Sequence, residues 1–310
     1  MQIKSKQQLR YRWLCALLIL TACCFRTAAV LLEAPVQTPS PQYGLHPYSP
    51  SSPKEPLRDE LSLDSSLVEI DNRCAVFFDQ EALFKEPISM EITELPCILI
   101  VHTHGSEAYV DAEDYRSSDP QQNVVRVGAE IAMQLNKAGI PTLHDRTLHD
   151  ETSGYNDAYG QAASAIAAYL EAYPSIQMVI DVHRDAASDG QGGQKALTTE
   201  LDGKAAAQLL LVLGTDTSEL PHPNWQQNLS FAMKLQAHLS SRAPSLMRKT
   251  SLRAARYNEH FTPNSILLEV GAAGNTMEEA LRSAAYFAQG LAELLTTSSQ
   301  IPSEDSITPP

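Results

Sequence analysis

Residues 97–107 read Cys97-Ile98-Leu99-Ile100-Val101-His102-Thr103-His104-Gly105-Ser106-Glu107, and their reading decides the fold. Five apolar residues after Pro96 are too few for a helix and read as a strand buried on both faces, which runs directly into titratable side chains. The same grammar repeats downstream. Val124 to Ala138 has helical spacing and stops at Gly139, with Pro141 and a short strand around Thr142-Leu143 behind it. Ala158 to Ala172 is an alanine-rich helix halted before Pro174, and Ile176 to Ile180 is a strand. Leu209 to Leu213 reads as a strand, Trp225 to Ser240 as a helix, Ile266-Leu267-Leu268 as a strand, and Met277 to Leu295 as a long closing helix. Short apolar strands alternating with longer helices give an α/β class, a mostly parallel sheet with helices on both faces.

In open α/β sheets ligands bind beyond the carboxyl ends of the strands. Three strands here lead into chemistry: residues 98–101 into His102, His104 and Glu107, residues 178–180 into Asp181-Val182-His183-Arg184-Asp185, and residues 266–268 into Glu269. Histidines and carboxylates gathered at one sheet edge offer the donor set of a catalytic zinc, which takes three protein ligands and keeps one position open. His144 and His149 also follow a strand but have no evident partner, so a structural or rim role is expected of them. His46, His222, His238 and His260 are expected to be solvated.

The chain around this unit is uneven. Residues 1–32 carry five basic residues and no acid, so the net charge of −14 leaves residues 33–310 with 18 basic against 37 acidic residues, a net −19. That balance excludes a nucleic-acid binder that works by neutralising phosphates. Residues 13–32 are a run of 20 broken only by Arg26, preceded by the basic stretch 4–12. The expected organisation is a cytoplasmic basic segment (1–12), a single transmembrane anchor (13–32), a Pro/Ser-rich tether (33–66), one catalytic domain (67–298) and a tail (299–310). A cleaved signal, or a lipoprotein signal at Leu20-Thr21-Ala22-Cys23, are the alternatives, and all three readings export the domain. Cys15, Cys23 and Cys24 fall in the apolar run, while a Cys74–Cys97 disulfide is permitted outside but not required.

Val101-His102-Thr103-His104-Gly105-Ser106-Glu107-Ala108-Tyr109, Asn123 to Gly128, Asp181 to Ala186, and Leu268-Glu269-Val270-Gly271 with Asn275-Thr276 resemble, in order, the motifs of the stage II sporulation protein P family. That family looks like a divergent branch of the zinc-dependent N-acetylmuramoyl-L-alanine amidases, whose fold is then expected here. The resemblance implies Zn²⁺ as cofactor and peptidoglycan as substrate. The bond cut is the amide between N-acetylmuramic acid and L-alanine, with possible endopeptidase action on stem-peptide cross-links, during engulfment at the outer face of the plasma membrane. It also implies stage II sporulation proteins D and M as partners. Laid on this chain, the first zinc-binding histidine falls on His104, with His102 beside it and exchangeable by one register step; the later histidine is His183 and the late-strand catalytic carboxylate is Glu269. Where the superfamily has a glutamate at the start of the first helix this chain has Gln121 and Gln122 before Asn123, so Glu107 is the substitute ligand. Glu269 is the expected base. Arg184 is expected either to stabilise an oxyanion or substrate carboxylate, or to pair with Asp185. Asn275, just before the last helix, is expected to cap that helix, facing the cleft being the alternative. In so acidic an exported part, substrate capture is expected to rest on local cations, Arg184, Arg126 and the zinc. The same ligand set would serve a zinc carboxypeptidase or other peptidase without amidase activity, and the missing glutamate motivates a non-catalytic wall-binding protein as a third reading.

Overall fold

The computed structural model describes residues 62–153, 157–218 and 220–298. The basic segment, the apolar run 13–32, most of the tether, and residues 299–310 lie outside the described residues. Among the described residues no helix is long and apolar enough to cross a membrane.

A seven-stranded sheet organises the chain, in the spatial order β1 (Ile70–Asn72), β8 (Thr250–Arg253), β7 (Leu209–Gly214), β9 (Ile266–Ala272), β4 (Met178–Asp185), β2 (Ile98–Val101), β3 (Thr142–His144). Every pairing is parallel except β7 with β9, so the sheet is mixed but mostly parallel. The helices are α1 (Gln80–Lys85), α2 (Val124–Lys137), α3 (His149–Ser153), α4 (Ala158–Ala172), α5 (Trp225–Arg242) and α6 (Met277–Ser298).

Alternation along each strand sorts the layers. Ile98 and Ile100 of β2, Met178, Ile180 and Val182 of β4, Leu209, Leu211 and Leu213 of β7, and Ile266, Leu268 and Val270 of β9 form one core with α2, α5 and α6. The residues between them face the other way: Leu99, Val101 and Val179 meet Ile166 and Tyr169 of α4. On that second face β4 also carries Asp181, His183 and Asp185, and β9 carries Glu269. Helices therefore cover both faces, but the second only in part.

Several expectations are corrected. Asp181 to Asp185 and Glu269 lie within strands rather than after them, because β4 and β9 continue past their apolar cores. β9 holds one extra residue against β4 between Glu269 and Ala272, taken up at Gly271 with φ +64. A hairpin of β5 (Thr198–Leu201) and β6 (Lys204–Ala207) stands apart from the main sheet, turned by Asp202 (φ +51) and Gly203 (φ +74). His222 and His238 are buried, and His238 Nε2 sits 3.1 Å from Glu293 Oε2. Of the two states left open for Cys74 and Cys97, the structure has free thiols.

Asn275 is buried, but it does not cap α6 with its side chain. Its Oδ1 accepts from the Leu197 and Ala272 amides at 2.9 Å, tying the hairpin approach to the end of β9. Thr276 caps instead: the Glu279 amide donates to Thr276 Oγ1 (3.2 Å), and the Thr276 amide donates to Glu279 Oε2 (3.0 Å). That reciprocal pair is a capping box.

Candidate metal centre

The segment after β2 is buried from His102 through Tyr109, so each of its polar groups needs a partner. Thr103 gives its amide (2.8 Å) and hydroxyl (2.6 Å) to Asp181. Ser106 gives its hydroxyl to Asp150 at 2.6 Å, and the Tyr109 hydroxyl reaches the Val270 carbonyl at 2.9 Å. The Val124 amide, first in α2, donates to the Glu107 carbonyl at 2.9 Å. These ties turn His104 and Glu107 toward β4.

His104, Glu107 and His183 converge there, with one ligand atom of each within 4.8 Å of the others. His183 Nδ1 is 3.3 Å from Glu107 Oε2, and His104 Nδ1 is 3.9 Å from Glu107 Oε1. Bonds of about 2.0–2.1 Å in a tetrahedral site imply ligand-to-ligand separations near 3.3 Å, so small side-chain adjustments fit these donors to zinc. Asp181 Oδ1 lies 3.0 Å from the other nitrogen, Nε2, of His183. A carboxylate behind a ligating histidine fixes its ring and raises its basicity.

Charge sets the protonation. Burial presses His183 down, but Asp181 and Glu107 outweigh it and hold the imidazole well above its ordinary range. Burial works against ionised Asp181 too, yet His183 and Thr103 bring it to about 2. Glu107 is lowered in the same way, burial being overcome by His183, Arg184 and His104. A site this anionic behind its nitrogens is one that a cation would neutralise.

Glu269 stands beside His183 in the register of β4 and β9. Its Oε2 is buried with no hydrogen-bond partner among the described residues. Burial drives its carboxyl up to about 8, with His183 pulling down and Glu107 pushing up.

Of the two exchangeable histidines, His104 joins the cluster and His102 does not. Its Nδ1 is 3.0 Å from the Val182 carbonyl and its Nε2 is 2.8 Å from His144 Nε2. His144 thus has a partner after all, and His149 pairs with Asp145 at 3.0 Å. Of the two readings of Arg184, the pairing with Asp185 is not formed. Its Nε donates to the Ala108 carbonyl (3.1 Å) and its Nη2 to the Tyr115 carbonyl (3.0 Å), while Nη1 lies 3.6 Å from Glu107 Oε1. Two of its side-chain N–H groups hold carbonyls of the Glu107 loop, and Asp185 pairs with Arg248 instead at 2.6 Å. The sequence reading missed Asp181 as the partner of His183; the Asp-x-His spacing on one strand face was the available signal.

A groove of about 1130 Å³ opens from His104, Glu107, His183 and Glu269 across the second face of the sheet. Tyr159 closes one side, its ring 5.4 Å from that of His104.

A family model described as Stage II sporulation protein P matches residues 53–292. Stage II sporulation protein P of Bacillus subtilis (strain 168) is 24% identical over 225 residues, 68% of this chain and 54% of that protein, so the chain matches about half of that relative's length. Among solved structures, the N-acetylmuramoyl-L-alanine amidase AmiC2 of Nostoc punctiforme is similar with a TM-score of 0.41 and 13% identity over 66% of this chain and 99% of that one. The catalytic domain of CwlV, an N-acetylmuramoyl-L-alanine amidase from Bacillus (Paenibacillus) polymyxa var. colistinus, has a TM-score of 0.40 and 14% identity over 65% and 97%.

Proposed function

The chain belongs to the stage II sporulation protein P family, and we propose that it is a zinc-dependent peptidoglycan hydrolase cleaving the amide between N-acetylmuramic acid and L-alanine. Action on stem-peptide cross-links in engulfment, at the outer face of the plasma membrane, belongs to the same reading. The observation that carries it is the buried convergence of His104, Glu107 and His183 beside Glu269, whose Oε2 has no hydrogen-bond partner among the described residues.

His104, Glu107 and His183 would hold the ion, which when bound supplies Lewis acidity, polarising the amide carbonyl and lowering the pKa of a nearby water toward ~7. Asp181 keeps the His183 ring oriented, and Arg184 keeps Glu107 in place through the Ala108 and Tyr115 carbonyls. Glu269 takes the proton of the attacking water as its oxygen adds to the carbonyl carbon. The same carboxyl then returns the proton to the departing nitrogen as the C–N bond breaks. Burial raises this carboxyl and a bound cation would lower it again, which would bring it to where a proton can be both taken and returned.

The experiment is digestion of purified peptidoglycan by the wild type and by His183→Ala, with metal content measured on both. Zinc and new L-alanine amino termini on stem peptides are expected from the wild type, and neither from the variant. Cleavage only within stem peptides would replace the amidase reading with a peptidase one, and wall association without zinc or turnover would leave a binding protein. Association with stage II sporulation proteins D and M is tested by co-purification from membranes.

A further inference from the structure

Residues 102–104 and 181–183 lie side by side as two triplets, and each residue of the first is committed to one of the second. The parallel ladder of β2 and β4 ends with Val101 beside Asp181. Beyond it, side chains take over the pairing. His102 Nδ1 is 3.0 Å from the Val182 carbonyl, and Thr103 gives its amide and hydroxyl to Asp181. The His104 ring stands edge-on to that of His183, with centroids 5.2 Å apart and planes at 86°.

The middle contact differs from the other two in reaching both oxygens of one carboxylate. The Thr103 amide donates to Asp181 Oδ1 at 2.8 Å and its hydroxyl to Oδ2 at 2.6 Å. The last torsion of an aspartate is ordinarily broad, so a single donor would leave the carboxylate plane free to swing. Two donors on separate oxygens fix it. The hydroxyl distance is that of a charge-assisted bond, and Thr103 and Asp181 are both buried, where the low dielectric strengthens it. β-Branching leaves the Thr103 hydroxyl few rotamers from which to point elsewhere.

The fixed carboxylate faces His183. Asp181 and His183 share a face of β4, two residues apart, and Asp181 Oδ1 lies 3.0 Å from His183 Nε2. With Nε2 turned to Asp181, the other nitrogen, Nδ1, is left toward Glu107, at 3.3 Å from its Oε2. Thr103 is also the residue before His104. One residue therefore reaches both histidines of the cluster, His104 through the backbone and His183 through Asp181, without being one of the three donors.

We propose that Thr103 is a positioning residue for the metal: by clamping Asp181 at both oxygens it holds His183 and His104 at ligand spacing before an ion arrives, and so sets the affinity of the site. The inference rests on the zinc reading of the cluster and adds a determinant of affinity outside the donor set. Side chains that orient a ligating histidine from behind commonly carry a large share of metal affinity.

The test is the zinc dissociation constant of the full chain, by competition with a chromophoric chelator, beside melting temperatures of the metal-free proteins. Thr103→Val and Thr103→Ala remove the hydroxyl and keep the amide, and each is expected to weaken zinc binding about 10–100-fold. Thr103→Ser returns the donor and is expected to restore most of the affinity. In an Asp181→Ala background Thr103→Val should weaken binding no further, because the hydroxyl acts only through that carboxylate. Ser283→Ala is the control on folding. Its hydroxyl is buried on α6 and donates to the Ala207 carbonyl at 2.6 Å, so its loss is expected to lower the melting temperature and leave zinc affinity at the wild-type level. Unchanged affinity in both Thr103→Val and Thr103→Ala, equal losses in Thr103→Ser and Thr103→Val, an undiminished loss in the Asp181→Ala background, or an equal loss in Ser283→Ala would overturn the proposal. A wild type that binds no zinc would overturn the proposed function together with this inference. Zinc affinity that follows Thr103 in a protein releasing no L-alanine termini from walls counts against the proposed cleavage alone, while unchanged affinity with cleavage intact counts against this inference alone.

Discussion

His102 and His104 are one residue apart and of the same type, and what separates their roles is the surroundings each ring meets. The His102 ring is fixed by the Val182 carbonyl and His144, on strands far away in sequence, which is why the motif alone left the two exchangeable. Gly128 makes room for that pair: a Cβ there would stand 2.5 Å from the His102 ring and 3.0 Å from His144 Nε2. Helix propensity favours alanine over glycine by about 1 kcal/mol. Overpacking costs about 1–3 kcal/mol and outweighs it, so Gly128→Ala should lower the urea midpoint rather than raise it. The same pair carries a pH dependence. Burial depresses His102 to about 4, and burial with the neighbouring His102 takes His144 well below its ordinary range. Depressed folded values mean that the unfolded chain binds protons first, so their contribution is full above about pH 6.5 and is lost as pH falls through 4. Urea midpoints measured across that window should fall with pH. The slope should flatten in His102→Gln/His144→Gln without vanishing, because His222 and His260 are also depressed to about 4. Glu269 gives the functional counterpart. Glu269→Gln keeps the shape but cannot take a proton, so turnover of peptidoglycan should drop by about 10²–10⁴ while bound zinc stays at the wild-type level.

Elements were legible where their own residues decide them. α4 has the bounds that alanine spacing and Pro174 set, and α2 ends at Lys137, one residue short of the expected Ala138. β1 and β8 were not legible, because Ile70–Asn72 and Thr250–Arg253 are short and polar and become strands only by pairing with each other and with β7. The β5–β6 hairpin had an Asp-Gly signal, but its flanks lack the alternation that marks a strand. The start of α6 shows how a correct boundary can carry a wrong cap. Asn275 was the expected cap, yet its side chain is committed to Leu197 and Ala272, and the cap moves one residue on to Thr276. Loss of a capping hydroxyl costs about 0.5–2 kcal/mol, so Thr276→Ala should destabilise by about that amount while Thr276→Ser changes little. Denaturant titrations of the two variants distinguish this from the loss of a methyl contact, which serine would share.

At the scale of the whole molecule, strand order is what assembles the site: β4 lies between β2 and β9, so His104, His183 and Glu269, distant in sequence, become neighbours. Composition and periodicity predict a mostly parallel sheet but carry no information on that order, nor on the reversal of β9 against β7. Charge distribution acts over the same scale. Residues 33–310 carry a net −19, whereas the groove is close to balanced, with six basic and five acidic residues along it. Under the proposed function the substrate wall bears carboxylates and associated anionic polymers, so the overall field would repel it at long range while cations near the cleft would act at short range. Salt separates the two effects, because the Debye length falls from about 30 Å at 0.01 M to about 8 Å at 0.15 M. Over that range the long-range repulsion is largely removed and contacts inside the groove are only weakened. The rate of digestion of intact walls should therefore rise as salt goes from about 0.01 to 0.15 M, whereas kcat/KM on a short soluble muropeptide, which meets mainly the groove, should fall. A parallel decline on both substrates would mean that groove cations govern wall capture and that the acidic exterior has no part in it.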